Sequence, residues 1–316
     1  MWKHKTVKVC SRFAIGNWKL EIENVRGFSL VELLVVMTLL SLIVLALMAV
    51  FNSTQQAFRA SVTQTDVLEG SRATMDLITS DLRGLTPSDG VSNYVYLGNN
   101  NYDYGAVNFF ATNNSYGYAP LVQSLPGSGA QRTNLLQWFF VLGRENTKWT
   151  GAGYIVNSAS ASPLYPLYRF YAELNISANP FGLFTNFIGD INDAQWTNFS
   201  HVMDGVVHLV VRAYDPQGYQ MTNTIIRLNG GQWSTNRNIW FSAPQWGETG
   251  FYMFSNMVPA SVELQLGVLE DRALARASSL PFQSVAQSNY LAQQSGKIHL
   301  FRQRVTIPNV DPSAYQ

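Results

Sequence analysis

The chain has 316 residues, of which 47% are hydrophobic and 13% are charged, and its formal net charge is +1. This balance excludes a disordered chain, and it argues against a nucleic-acid binder that works through bulk charge. The single cysteine, Cys10, excludes an intrachain disulfide framework and a CxxC metal site.

The charges are strongly segregated at the N-terminus. Residues 1–27 hold six basic and two acidic residues, a charge of +4, so the rest of the chain carries −3. Residues 28–51 follow with one charged side chain, Glu32. A helix of that length spans roughly 36 Å, and a bilayer core is about 30 Å thick. The basic flank is expected to stay cytoplasmic, which places the remainder of the chain across the membrane.

Two ordinary explanations fit this apolar segment poorly. A secretory signal peptide has an apolar region of about 7–15 residues and then a small-residue cleavage site. The present run is longer, and residues 46–49 (Ala-Leu-Met-Ala) match such a site poorly. A plain single-pass anchor explains the length but not Glu32, because an acidic group inside a membrane segment costs about 2.5–3.5 kcal/mol. A carboxylate kept at this position needs a function.

The junction between the basic and apolar segments reads Arg26-Gly27-Phe28-Ser29-Leu30-Val31-Glu32. This resembles the N-terminal signature of type IV prepilins and pseudopilins, in which prepilin peptidase cuts after the glycine and methylates the new N-terminal residue. The resemblance implies cleavage between Gly27 and Phe28, N-methylation of Phe28, and a glutamate, Glu32, at the fifth position of the mature chain. In that family the glutamate pairs with the N-terminal amine of a neighbouring subunit, and a neutralised pair is tolerated where one buried charge is costly. Cleavage would also remove Cys10.

Residues 52–85 contain no proline and continue the helical pattern. Apolar residues recur mostly in steps of three, four or seven, which is typical of one face of an amphipathic helix: Phe51, Phe58, Val62, Leu68, Met75, Ile78, Leu82 and Leu85. The opposite face is polar: Gln55, Gln56, Arg59, Gln64, Asp66, Arg72 and Asp76. Gly84 and Pro87 predict the end of the helix. One helix from about residue 29 to residue 84 is therefore predicted, with its second half packed on a globular head.

The residues at the end of this helix resemble particular members of the prepilin and pseudopilin family. Arg72 and the ending Asp81-Leu82-Arg83 are similar to minor pseudopilin J of type II secretion systems and to W-type minor pilins. Residues 205–218 and 258–262 resemble pseudopilin J more loosely, through a strand that ends in a turn and a later Val-Pro entry to another strand. Residues 270–297, with Ala- and Gln-rich helical pieces around Pro281, are an insertion relative to that family.

Residues 86–316 are predicted to form a β-rich antiparallel head, which gives an α+β fold. Strands are predicted at 135–142, 168–174, 206–214, 262–268 and 298–307, with a turn at 215–218. Residues 88–130, rich in Asn, Gly, Ser and Tyr, are interpreted as a solvated insertion of loops and short strands, with a glycan- or protein-binding surface as the alternative. Residues 151–153 (Gly-Ala-Gly) are interpreted as a turn.

No catalytic or metal-binding constellation is predicted. His201, Asp204 and His208 could be drawn as a metal site, but their spacing matches no zincin or EF-hand pattern. The sequence contains neither a GxSxG elbow nor a GxxxxGK[ST] loop. We therefore expect no enzyme activity and no cofactor. Three tryptophans between residues 218 and 258 are expected in the core or in an interface rather than on a ligand platform: Trp233, Trp240 and Trp246.

The sequence predicts a minor pseudopilin or minor pilin. It would have a cleaved cytoplasmic leader (1–27), a transmembrane and filament-core helix (28–51), an amphipathic continuation (52–85) and a periplasmic head (86–316). It would pass from the inner membrane into a type II secretion pseudopilus or a type IV pilus.

The expected partners are prepilin peptidase, other pilins or pseudopilins, an inner-membrane assembly platform and membrane lipid, with no nucleic acid. Two alternatives stay open. One is a membrane-anchored ectodomain that binds or acts on surface polymers, and the other is a pilus-tip adhesin or competence pilin.

Overall fold

The structure is a computed structural model that describes residues 29–88, 92–97, 100–113, 118–157, 163–192, 198–227, 233–235 and 238–315. The chain divides into two compact units, Met1–Phe58 and Arg59–Gln316. The predicted leader and the dipeptide Gly27-Phe28 lie outside the described residues.

Helix α1 is continuous from Leu30 to Arg83, which confirms the long helix predicted for this part of the chain. In the first unit its apolar side chains are exposed on every side, from Leu30 to Phe51. A helix that is apolar all round belongs in lipid or inside a larger assembly rather than in water. In the part of the chain that the structure describes, α1 is the helix long and apolar enough to cross a membrane.

The later part of α1, in the second unit, packs on the head. Its buried side chains include Val67, Met75, Ile78 and Leu82, and the predicted polar face is exposed. Val62 is predicted on the face that packs on the head, but its side chain is 44% exposed. Among the described residues, the buried side chains of α1 begin at Val67, more than one turn later.

The head alternates strands and short helices. The strands, in chain order, are β1 Ser92–Leu97, β2 Asn100–Gly105, β3 Val107–Asn113, β4 Leu121–Ser124, β5 Gln131–Asn134, β6 Gln137–Glu145, β7 Lys148–Val156, β8 Leu167–Asn175, β9 Phe199–Met203, β10 Val206–Tyr214, β11 Ile225–Arg227, β12 Trp233–Thr235, β13 Ile239–Phe241, β14 Phe251–Phe254, β15 Ser261–Leu269 and β16 Ile298–Thr306. The helices are α2 Phe181–Asn192, α3 Asp271–Ser278 and α4 Val285–Ala292, with 3₁₀ turns at Ser295–Lys297 and Pro312–Tyr315.

The strands form one large and several small antiparallel sheets. The large sheet has seven strands in the order β13-β14-β3-β6-β7-β8-β9, and a second sheet has three in the order β10-β15-β16. Two-stranded pairs are β1-β2, β4-β5 and β11-β12. The α+β fold and the five predicted strands are confirmed, as are helical pieces on both sides of Pro281.

Two predictions about the head are wrong. Residues 107–111 are not a solvated insertion, because β3 pairs with β14 on one side and β6 on the other and is buried. Residues 151–153 are not a turn but the middle of β7. Glycine at position 153 allows α2 to pack closely on β7, because a Cβ there would overlap the Phe187 ring of α2.

Alternate side chains of the seven-stranded sheet build two hydrophobic cores. One core joins this sheet to α1 and to the three-stranded sheet, through residues such as Ile78, Tyr154 and Leu264. The other joins it to α2, through residues such as Phe140 and Phe187. The second part of α1 is therefore an integral layer of the head.

Candidate functional site at the start of the long helix

Ser29 and Glu32 define the local structure at the start of α1. Ser29 directly precedes the first helical residue, so it is the N-cap, and Glu32 is the third residue of the helix. The Glu32 carboxylate accepts a hydrogen bond from the Ser29 backbone N–H at 3.3 Å, and the Ser29 carbonyl accepts one from the Leu33 N–H at 3.1 Å. This is half of a capping box, the Ser-x-x-Glu arrangement that closes helix N-termini.

The cap gives Glu32 a partner within its own chain. A negative charge at a helix N-terminus also interacts favourably with the helix dipole. The cost of placing this carboxylate in an apolar segment is therefore reduced before any neighbouring subunit is present. This second role goes beyond what the prepilin resemblance implies for Glu32, although its signal, the Ser29-x-x-Glu32 spacing, is readable in the sequence.

The rest of the segment is adapted to an apolar environment. Glu32 is the sole charged side chain between residues 28 and 58. The hydroxyls of Thr38, Ser41 and Thr54 each donate to a carbonyl one turn earlier, at 2.8, 2.8 and 2.9 Å. Polar side chains satisfied within the helix carry little penalty in lipid or in a filament core.

A family model described as the prokaryotic N-terminal methylation motif matches residues 23–48. This match supports the type IV prepilin and pseudopilin family that the residues around Gly27 resemble. No curated protein and no solved structure matches the chain. The matched residues include Gly27, Phe28 and Glu32, so the motif implies processing by prepilin peptidase and assembly with other pilins. Among the described residues, the one long apolar helix, α1, is compatible with a membrane anchor.

The ending of α1, Asp81-Leu82-Arg83, contacts the large sheet of the head. Arg169 of β8 donates two hydrogen bonds to Asp81, from Nε to Oδ2 and from Nη2 to Oδ1, both at 2.8 Å. The Tyr154 hydroxyl of β7 donates to Asp81 Oδ2. Burial, and then the Asp81 carboxylate, raise the pKa of the Tyr154 phenol, so this group stays protonated and remains a donor. Leu82 is fully buried, whereas Arg72 and Arg83 are exposed.

Of the three residues weighed as a metal site, His201 and Asp204 contact each other, and His208 has other partners. His201 Nε2 lies 2.7 Å from Asp204 Oδ1 in an exposed position. His208 Nδ1 accepts a hydrogen bond from the Leu135 N–H at 3.1 Å, and its Nε2 faces Gln265 Oε1 at 3.3 Å. Burial lowers the pKa of the His208 imidazole, which fits a neutral ring with the proton on Nε2. Within the described ranges, no group of three or more His, Cys, Asp or Glu side chains is arranged to hold a metal ion.

Trp240 and Trp246, predicted to lie in the core or in an interface, are not core residues. Their side chains are 40% and 66% exposed. Trp240 packs edge-on against Tyr252 at a ring-centroid distance of 5.2 Å. Trp246 lies in a tight turn and has a φ of 55°, a value that is unfavourable for a bulky residue. The side chain of Trp233 lies outside the described residues.

Proposed function

We propose that this protein is a minor pseudopilin or minor pilin, an assembly subunit rather than an enzyme. The observation that carries the proposal is the start of α1, where one capped carboxylate, Glu32, follows the Gly27-Phe28 processing site and precedes an apolar helix exposed on all sides. The leader would lie in the cytoplasm and the head in the periplasm, because the basic flank orients the helix.

Cleavage changes the electrostatics of this segment. Before cleavage Phe28 is joined to the leader by a neutral peptide bond, and Glu32 is held by its local cap. Cleavage after Gly27 creates an amine on Phe28, four residues before the carboxylate. In the filament, an amine from one subunit and Glu32 from another would neutralise each other, which a desolvated interface strongly favours over two separate charges. The exposed apolar surface of the helix would then pack against other subunits.

Two features of the head support a pseudopilin J-like or W-type subunit at the initiation or tip position. Asp81 anchors the end of α1 to the sheet through Arg169. The two loosely similar segments, 205–218 and 258–262, contribute to neighbouring strands, since β10 pairs with β15. The insertion 270–297 departs from that pattern, because its helices α3 and α4 separate the paired strands β15 and β16.

The mature N-terminus tests the proposal. Mass spectrometry of the protein made together with a prepilin peptidase should show loss of residues 1–27 and one added methyl group on Phe28. Gly27→Leu should block this processing. Gly70→Ala is the matched control, because a Cβ at Gly70 has open space around it. An intact N-terminus, or a cut near Ala49, would contradict the prepilin pathway and favour a simple anchored ectodomain.

Co-purification separates the remaining alternatives. A minor pseudopilin should be isolated with other pseudopilins after crosslinking, and a pilus subunit should be isolated with pilins. An adhesin or competence pilin shares the processing but would need a ligand bound by its head.

A further inference from the structure

A cleft on the head lies between α3, α4 and the 3₁₀ turn Ser295–Lys297, within the insertion 270–297. Its volume is about 690 Å³, within the range of ligand-binding clefts. The polar and charged lining side chains are Glu270, Arg272, Arg276, Ser279, Tyr290, Gln294 and Lys297, and the remaining lining residues are Ala273 and Ala275. The small alanines leave room for a main chain to lie against α3.

The cleft is strongly cationic in a protein whose chain after the leader carries −3. Lys297 is paired with Glu270, with Nζ 3.2 Å from Oε2. Arg272 and Arg276 form no ion pair with any carboxylate in the part of the chain that the structure describes. Two guanidinium groups therefore border the cleft without an ion-pair partner among the described residues, and with Lys297 and Glu270 they give the lining a net charge of +2.

The local electrostatics of α3 are unfavourable for Arg272, whereas Arg276 lies in the last turn, where the helix dipole favours a positive charge. The two arginines are four residues apart on α3, and like charges at this spacing weaken a helix. Arg272 also lies in the first turn, where the helix dipole disfavours a positive charge. A bound anion would relieve both effects. Tyr290 and Gln294 add to the lining a hydroxyl and an amide that are not hydrogen-bonded to another described side chain.

We propose that this cleft binds an extended acidic peptide segment of a partner protein, with carboxylates on alternate residues. Residues four apart on a helix are separated by about 6 Å along its axis, and alternate side chains of an extended chain are about 6.7 Å apart. Each guanidinium can therefore meet one carboxylate. The hydroxyl of Tyr290 and the amide of Gln294 can bond to the peptide backbone.

A nucleic acid fits the cleft less well than a peptide. Binding to a phosphate backbone depends on many simultaneous phosphate contacts and on a positive field around the protein. The cleft offers three cations, one of them paired, on a head whose 12 basic and 13 acidic residues give a net charge of −1, so there is no positive field around the head. A short acidic segment needs only the local pair of arginines. This inference does not depend on the filament assignment.

Fluorescence anisotropy tests the proposal with the full chain in non-ionic detergent. The probe is a labelled peptide with glutamates at alternate positions, and its glutamine counterpart is the control ligand. We expect the Arg272→Gln, Arg276→Gln double variant to bind the glutamate peptide about tenfold more weakly. Both arginines are exposed, so the variant should fold normally, which circular dichroism checks. Arg144→Gln, at an exposed cation outside the cleft, should bind like the parent.

Three results would overturn the proposal. The first is equal affinity of parent and double variant for the glutamate peptide. The second is equal affinity of the parent for the glutamate and glutamine peptides. The third is tighter binding of a single-stranded oligonucleotide or of anionic lipid vesicles through the same two arginines, which would assign the cleft to phosphate groups.

Discussion

The Asp81 carboxylate and the Arg169 guanidinium form a two-point hydrogen-bonded pair that joins the last turn of α1 to strand β8. Both side chains are mostly buried, with 13% and 18% of their surface exposed. Tyr154 donates a third hydrogen bond to the same carboxylate. The pair thus fixes the helix that carries the apolar N-terminal segment onto the sheet of the head.

Asp81→Asn should lower the free energy of unfolding of the head by about 2–3 kcal/mol, because it leaves a buried guanidinium without a counter-charge. Chemical denaturation of the variant measures this loss. Lys148→Gln, which breaks an exposed ion pair with Glu173, is the matched control and should change stability little. Equal effects of the two substitutions would mean that the Asp81 pair does not hold the helix to the sheet.

The elements of the fold that depend on residues close together in the sequence could be predicted. The end of α1 and the strand β10 follow from apolar periodicity and from β-branched residues. The pairing of Asp81 with Arg169 could not be predicted, because 88 residues separate them and only the folded sheet brings them together.

The burial of strand β3 could not be predicted for a related reason. The strand lies in a stretch rich in Asn, Gly and Tyr, which is typical of loops, and its burial depends on β14, more than a hundred residues later in the chain. The glycines of β7 were interpreted as a turn because the sequence does not reveal that the Phe187 ring occupies the space above Gly153. In contrast, the cap between Ser29 and Glu32 is local and could have been predicted from spacing alone.

Glu32→Gln separates the two roles of this side chain. Glutamine also completes a capping box, so the cap is kept while the charge is lost. We expect Glu32→Gln and Glu32→Leu both to be cleaved after Gly27, and both to assemble poorly into filaments. Immunoblotting for the processed form and recovery of sheared filaments measure the two steps. Normal assembly of Glu32→Gln together with failure of Glu32→Leu would show that capping, and not charge pairing, is the function of Glu32.

Trp246→Asn should stabilise the head. Trp246 and Gly247 have φ values of 55° and 86°, and backbone hydrogen bonds between Gln245 and Glu248 close the turn. These are the features of a type I′ turn, in which Asn-Gly is strongly preferred. Because Trp246 is largely exposed, little packing is lost. We expect a gain of about 1 kcal/mol, or roughly 2–4 °C in Tm.

Differential scanning calorimetry measures that gain. Gly247→Ala is the opposing control and should destabilise the head, since alanine is strained at this φ. A lower Tm for Trp246→Asn would show that the tryptophan makes stabilising contacts that outweigh the strain of its backbone.

His208 should make the stability of the head depend on pH. Burial lowers the pKa of its imidazole below the ordinary value of 6.5, so the unfolded chain takes up a proton more readily than the folded one. The free energy of unfolding should therefore fall as the pH drops from about 7 through 6.5 and towards the lowered pKa of the folded state. Urea unfolding at a series of pH values measures this slope.

His208→Gln should reduce the slope in that range, at the cost of some stability at pH 7, because the ring accepts the Leu135 N–H. His201→Gln replaces an exposed histidine and is the control for removing one imidazole from the chain. If parent and His208→Gln lost stability equally between pH 7 and 5.5, the buried imidazole would not be the group that takes up the proton, and the slope would have to come from carboxylates such as Glu263. The pKa of that carboxyl is lowered because hydrogen bonds from Arg302, Gln265 and Tyr214 outweigh its burial, so its contribution should appear at lower pH.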